Sequence, residues 1–423
     1  MFHIEDEKVK SLLMKGNFGL ERESLRVTKD GYLAQTPHPF PDDPNIVRDF
    51  CENQIEINTG VSESAEGALE ELAFYDKRVK EKLNGLEEPE YLWAFSNPPY
   101  IKEENDIPVA VFTGDLQSKT VYRHHLSRMY GRYKMTLSGI HVNYSFADDL
   151  LMADFELSGK KDFEEYKDGV YLELARNYVL SGWIVNLLLA ASPLSDSSYN
   201  VNRPTGSDLF LGMASLRCSE MGYWNHFTPV LSYDSVKAYA DSIEDYIIRG
   251  YIKSQTELYY PVRLKPRGEN KLETLKEKGV DHIEIRNVDL NPYCDAGLEY
   301  KDLKFLQLLL VYLSSVPGQE LTEDMQIKAA QNFKNAAHYD IDSTNLYLPG
   351  VDAIKVREAG MKLLRDMKAF YENGIDGEAE EILLFQENKL TDNAERYAVK
   401  VLKEFSGDFV KKGLMLSKQR QGL

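Results

Sequence analysis

The sequence predicts an α+β fold, and two observations carry the prediction. Within the first 300 or so residues, four segments alternate apolar and polar positions with the period of a β-strand. From about Tyr300 onward the chain reads as helix to its end. A third observation concerns organisation. No Gly/Ser-rich tether separates the two parts, so residues 1–423 are expected to form a single domain. Its sheet-bearing part covers about 1–300 and its helical C-terminal part about 301–423.

The strands share one design. In Gly19–Val27 (GLERESLRV), period-2 geometry puts Glu21 and Glu23 on one face, and Asp30-Gly31 signals a turn just beyond. In ENQIEIN, Gln54, Glu56 and Asn58 share a face while Ile55 and Ile57 take the other. In SGIHVNYSF, His141, Asn143 and Ser145 lie opposite Ile140, Val142 and Tyr144. In DHIEIRNVD, His282, Glu284 and Arg286 lie opposite Ile283 and Ile285. Each strand is apolar behind and polar in front, the pattern of an antiparallel sheet with one face open.

Helices are expected over 62–84, with Ser62 as N-cap and Gly85 after the end, and over 168–192 and 234–256. In the C-terminal part they are expected over 302–315, 321–337, 351–373, 377–387 and 391–412. Residues 86–108 hold Pro89, Pro98, Pro99 and Pro108 and read as a loop-rich crossing.

Composition bounds the function. Apolar residues make up 43% and charged residues 28%, an ordinary globular balance. Lys+Arg is 50 against Asp+Glu 68, a net charge of −18, which argues against nucleic acid as a partner. Three cysteines, no CxxC pair and a charged N-terminus without a signal h-region fit a reducing cytoplasm. The most apolar stretch, Val179–Leu194, is too short to span a bilayer, so no membrane partner is expected.

The front faces carry the chemistry. A solvated sheet face usually mixes in Lys, Thr and Ser, whereas these four strands present carboxylates, a His and an Arg, with no Lys. Clustered carboxylates repel one another, and cations between them are the natural remedy. Oxygen donors with one imidazole suit Mg²⁺ or Mn²⁺, and such ions can hold nucleotide phosphates. The chain has no GxxxxGK[ST], GxGxxG or HExxH. Arg286, two residues from Glu284, points to the same place, where a guanidinium can stabilise charge in phosphoryl transfer. For Arg123 and Arg217, spacing does not separate carboxylate binding from structure. The His124-His125 pair, Cys51 and Cys218 read as packing residues.

The strings GLERESLRV, DFCENQIEI, YRHHLSRMYG, SGIHVNYSF, SLRCSEMGY, TELYYPVRLKP and GVDHIEIRNVDLNPY together resemble the bacterial type of glutamate–cysteine ligase. They are similar also to the N-terminal ligase part of the bifunctional glutathione-synthesising enzymes. The likeness runs in order over residues 16–315, roughly seven-tenths of the chain. It implies a glutamine-synthetase-like curved antiparallel sheet forming a funnel-shaped active site. It implies ATP-dependent ligation of the L-glutamate γ-carboxylate to the L-cysteine amine through γ-glutamyl phosphate. Matched position by position, the metal ligands fall on Glu21, Glu23, Asp49, Glu56, His141 and Glu284. Catalytic roles fall on Arg286, Glu284 and Glu21, and substrate carboxylate contacts on Arg217 and Arg123, with Tyr259 nearby. The cysteine pocket falls on Phe50, Tyr122, Leu126 and Tyr223. The implied partners are small molecules (ATP, L-glutamate and L-cysteine), with Mg²⁺, or Mn²⁺, as cofactor and a monomer favoured.

Three departures accompany the likeness. Met135 stands where a glutamine is expected near the substrate, and Val47 and Arg48 replace small hydroxyl residues before Asp49. No second, ATP-grasp-like portion follows, so the dipeptide is the expected product. Two rivals remain: a γ-glutamyl ligase using another amine, and a non-catalytic nucleotide- or metal-binding homologue.

Overall fold

The longest strand, β1 (Gly16–Val27), runs through the middle of the principal sheet and organises its neighbours on both sides. In this computed structural model, residues 1–199, 207–372 and 374–422 are described. The strands are, in chain order, β1, β2 (Ile46–Arg48), β3 (Gln54–Asn58), β4 (Tyr91–Leu92), β5 (Ile140–Phe146), β6 (Leu194–Asp196), β7 (Asp208–Phe210), β8 (Val262–Lys265), β9 (His282–Val288), β10 (Asn345–Leu348) and β11 (Val351–Lys355). Seven of them form one open sheet in the order β2-β3-β1-β5-β9-β8, with β4 against the far end of β1. Every pairing in it is antiparallel. The expected α+β class, with an antiparallel sheet and a helical C-terminal part, is what the chain adopts.

The helices are α1 (Glu7–Leu12), α2 (Ala65–Asn84), α3 (Gln117–Tyr130), α4 (Asp148–Ser158), α5 (Phe163–Ser181), α6 (Trp183–Leu189), α7 (Val236–Ile248), α8 (Leu272–Lys278), α9 (Tyr300–Ser315), α10 (Glu323–Ala336), α11 (Val356–Tyr371), α12 (Ala379–Thr391), α13 (Tyr397–Phe405) and α14 (Phe409–Arg420). Ser64, not Ser62, caps α2, accepting from the Gly67 N–H. The helix expected over 168–192 is two helices that break at Gly182. The stretch 351–373 opens as a strand. Val351–Lys355 pairs with Asn345–Leu348 in a hairpin before α11 begins. The helix expected over 391–412 is replaced by α13 and α14, parted at Ser406–Asp408.

The apolar back of the sheet makes the core. Leu20, Ile55, Ile57, Ile140, Val142, Ile283 and Ile285 are each at most 1% exposed and pack in one cluster with residues of α5, α6 and α9. Among the polar residues, Arg22 on this back face is neutralised by Asp76 of α2, which also holds Lys80 at 2.5 Å. A second cluster, including Phe50, Trp93, Phe95, Tyr259 and Phe409, lies beyond the Leu25–Val27 end of β1. With the back buried against helices, the front face of β1, β3, β5, β8 and β9 is left to line a cavity.

Candidate active site

The cavity holds about 240 Å³. Register decides what faces what. Glu23 of β1 lies directly opposite Glu56 of β3, and Glu21 opposite His141 of β5. Asn143 of β5 lies opposite Glu284 of β9, which in turn faces Arg263 of β8. A register shift between β5 and β9 falls past Glu284, so Arg286 stays in front with it while Asn287 turns back to meet the Tyr178 hydroxyl at 2.8 Å.

These pairings divide the cavity by charge. At one end Glu21, Glu23, Asp49 and Glu56 line the wall. Burial raises Glu23, and the Asp49 carboxylate adds to it, bringing Glu23 to about 8. Glu56 is pushed well above the carboxylate range by burial and by Asp49, Glu21 and Glu23. Arg217 lies against Gly139, whose N–H donates to Glu23, and Arg263, Lys265 and Arg286 line the cavity from the other end, on β8 and β9. Glu284 sits among them, 3.0 Å from Arg286, 3.4 Å from Lys265 and 3.6 Å from Arg263. Burial pushes its carboxyl up, but Arg286, Lys265 and Arg263 together hold it well below the ordinary range. Between the ends, His141 places Nδ1 3.0 Å from Glu21 and Nε2 4.0 Å from Glu23. Burial and Arg286 keep the imidazole below its usual value, toward the neutral form that binds metal. One ligand atom each from Glu21, His141 and Glu284 lie within 4.8 Å of one another. The buried Glu284 Oε2 has no hydrogen-bond partner, so this donor set fits a hard divalent cation.

Arg217 reaches the cavity through close backbone contacts. A Cβ on Gly139 would lie 2.3 Å from its guanidinium carbon, and one on Gly222 would lie 1.9 Å from its carbonyl oxygen. The loop carrying Arg217 is pinned by buried Asp289, which accepts from the Ser192 and Ser215 hydroxyls at 2.6 and 2.9 Å. Ser215 Oγ in turn accepts from the Cys218 N–H.

Of the residues picked from sequence, Glu21, Glu23, Asp49, Glu56, His141, Glu284, Arg286, Arg217, Tyr122, Leu126, Tyr223 and Tyr259 all line this one cavity. Two do not. Phe50 is buried in the second core cluster. Arg123 spends its guanidinium on the carbonyls of Asp49 (2.5 Å), Lys119 (3.2 Å) and Arg48 (3.5 Å), stacked over Phe112. Sequence reasoning missed Arg263 and Lys265. Their two-residue spacing in VRLK was the available signal; the four strands read from sequence carry no lysine in front, and Lys265 enters from this fifth strand. Met135 stands beside the aromatic wall, its thioether sulfur accepting from the Tyr223 hydroxyl at 3.2 Å.

Residues 1–253 and 247–336 match the protein family described as glutamate-cysteine ligase. A glutathione biosynthesis bifunctional protein of Listeria monocytogenes is 35% identical over 382 residues, 87% of this chain and 49% of that one. The chain thus spans about half the length of the curated bifunctional relatives it matches. A glutamate–cysteine ligase of Clostridium acetobutylicum is 33% identical over 389 residues, 78% of this chain and 78% of that one. Among solved structures, a bifunctional glutathione synthetase from Pasteurella multocida superposes with TM-score 0.84 at 27% identity, covering 99% of this chain and 54% of that chain. The glutamate–cysteine ligase of Francisella tularensis in complex with AMP shares the fold, with TM-score 0.85 at 24% identity, covering 96% and 88%.

Proposed function

The chain belongs to the glutamate–cysteine ligase family, and on that footing we propose that it joins the γ-carboxylate of L-glutamate to the amine of L-cysteine, splitting ATP to ADP and phosphate. The observation that carries the reading is the division of one cavity into an acid end and a cation end. A reaction between an anionic nucleotide and an anionic amino acid needs both: acids to hold divalent metal, and fixed cations to meet the charge that metal leaves uncovered.

Glu21, His141 and Glu284 would hold Mg²⁺, or Mn²⁺, and Glu23, Asp49 and Glu56 supply oxygen donors beside them. When bound, such a metal supplies positive charge to the ATP phosphates. Arg286 would meet the oxygens of the transferring phosphoryl group as the glutamate carboxylate attacks, with Arg263 and Lys265 extending the cation surface. The cysteine amine would then attack the carbonyl carbon of γ-glutamyl phosphate. The C–N bond would form as the C–O bond to phosphate breaks, the amine proton leaving with the phosphate that Arg286 would hold. Arg217 would take a substrate carboxylate in bidentate fashion. Tyr122, Leu126, Tyr223 and Tyr259 would enclose the acceptor, with Phe50 and Arg123 supporting that wall from outside. The reading includes small-molecule partners only, a monomer and a cytoplasmic setting, and the net charge of −18 supports the exclusion of nucleic acid. Among the described residues no helix is long and apolar enough to cross a membrane.

The test is ADP release with ATP, Mg²⁺ and L-glutamate, with and without L-cysteine. Cysteine-dependent release with γ-glutamylcysteine as product is the expected result; release driven better by another amine defeats the cysteine assignment. One observation favours that second reading: the Met135 thioether occupies the Tyr223 hydroxyl, leaving the acceptor wall less polar.

A further inference from the structure

Helix α3 carries two cavity-lining residues, Tyr122 and Leu126, on one face, and the next positions along that face are His125 and Tyr130. Those two do not reach the cavity. They meet Glu257, a carboxylate with no exposed surface that the proposed chemistry does not use. Its Oε1 accepts from the Tyr130 hydroxyl at 3.0 Å, and its Oε2 accepts from the Lys253 N–H at 2.8 Å and lies 3.2 Å from His125 Nε2. Asn225 extends the junction. Its amide donates to the Tyr130 hydroxyl (3.1 Å) and to the Glu257 carbonyl (2.8 Å), and its oxygen accepts from the Tyr259 N–H (2.8 Å). The neighbouring Thr256 hydroxyl donates to Tyr122 Oη at 3.2 Å.

We propose that Glu257 is a positioning residue for the amine acceptor: its carboxylate clasps α3 to the 255–259 segment and sets the width of the acceptor end of the cavity. The inference rests on the ligase reading above. A buried carboxylate is costly unless its partners are all in place, and here those partners join two segments that both line the cavity and touch through Tyr122 and Thr256. Tyr122 and Leu126 line it from one segment, and Thr256 and Tyr259 from the other. The rest of α3 is lightly held. Val121 and Met129 are 62% and 41% exposed, and its opposite edge is tied through Arg123 to backbone carbonyls. Arg263 of β8 donates to the Thr256 and Leu258 carbonyls and keeps the 255–259 segment on the sheet, so loss of the clasp moves α3, the side of the acceptor site that Glu257 holds.

The experiment compares Glu257→Ala and Glu257→Gln with the wild-type enzyme. Gln keeps one oxygen, for the Lys253 N–H and His125 Nε2, and turns its amide N–H toward the Tyr130 hydroxyl oxygen. Glu257→Ala is expected to raise the KM for cysteine by about tenfold, with the KM values for ATP and glutamate within about twofold. It is also expected to weaken rejection of bulkier amino-acid acceptors. Glu257→Gln is expected to restore the cysteine KM to within about threefold of wild type. Tyr130→Phe, which removes the hydroxyl that donates to Glu257 and accepts from Asn225, shifts the same constant by about threefold and decides the matter if the alanine variant does not fold. Parallel movement of kcat and all three KM values, or an unmoved cysteine KM, overturns the inference. A wild-type protein without cysteine-dependent ADP release overturns both this inference and the ligase reading beneath it, whereas wild-type turnover with unmoved variants overturns this inference alone.

Discussion

Glutamates on one sheet face, within one cavity, behave in opposite ways at its two ends. Glu23 and Glu56 lie directly across from each other on β1 and β3, and burial with the Asp49 carboxylate drives both upward, in Glu23 against the pull of Arg217 and Arg286. Glu284, on β9, is as deeply buried, yet Arg286, Lys265 and Arg263 hold it down. Burial is common to both ends, so neighbours decide the sign. Around Glu23, Asp49 and Glu56 the acids outweigh the cations in reach, whereas Glu284 is outweighed by its cations and Glu21, held against burial by His141, is lowered as well. On the ligase reading proposed above, Glu21, His141 and Glu284 would hold the metal from β1, β5 and β9, and the cations of β8 and β9 would meet the transferring phosphate.

The comparison is most directly broken at Glu284, which belongs to both ends. Glu284→Gln is expected to lower turnover by more than about 10³-fold at saturating Mg²⁺, with circular dichroism unchanged; near wild-type turnover would remove Glu284 from the metal set. Arg286→Lys keeps the charge but loses the planar fork. It should reduce kcat by roughly 10²–10³ with a smaller change in the ATP KM, and a change confined to that KM would make Arg286 a ground-state ligand instead.

Stability measurements sharpen the contrast. Glu23 keeps its proton to about pH 8 in the fold but releases it near its ordinary value when unfolded. Between those pH values the folded state binds more protons, so the metal-free protein should lose stability as pH rises from 5 to 8. Melting temperature should fall by several degrees across that range and fall less in Glu23→Gln; a flat profile in metal-free wild type would show that the acids do not repel as argued. The smallest effect concerns the acceptor wall. With the Tyr223 hydroxyl engaged by Met135, 2-aminobutyrate should be accepted with a catalytic efficiency within about tenfold of cysteine. Rejection beyond about 10³-fold would require a specific contact to sulfur, and Met135→Gln should move the ratio toward cysteine.

Much of the acid end was legible in the chain because alternation is local. GLERESLRV and ENQIEIN each put their glutamates on one face within a few residues. That Glu23 would stand opposite Glu56, or Glu21 opposite His141, depends on register between strands 30 to 120 residues apart, and no local pattern encodes it. The cation end was half hidden for the same reason. Arg286 announced itself beside Glu284, but Arg263 and Lys265 lie on a four-residue strand after a proline, too short for a period to stand out. Arg123 shows the converse, since its guanidinium is claimed by the carbonyls of Arg48 and Asp49, a contact across 75 and 74 residues. In the helical part, VDAIKVREAGMKLL carries a helical period straight through the residues that form β11, so only the Pro349-Gly350 turn could have revealed the hairpin.

The central place of β1 has a consequence for how the protein is made. Its two principal partners, β3 and β5, are complete by Asn58 and Phe146, but β9, which closes the cavity beyond β5, ends only at Val288. At about 5–20 residues per second a nascent chain needs on the order of tens of seconds to pass from β1 to β9. Throughout that interval the edge of β5 that later receives β9 stands open on the ribosome, the kind of edge on which neighbouring chains associate.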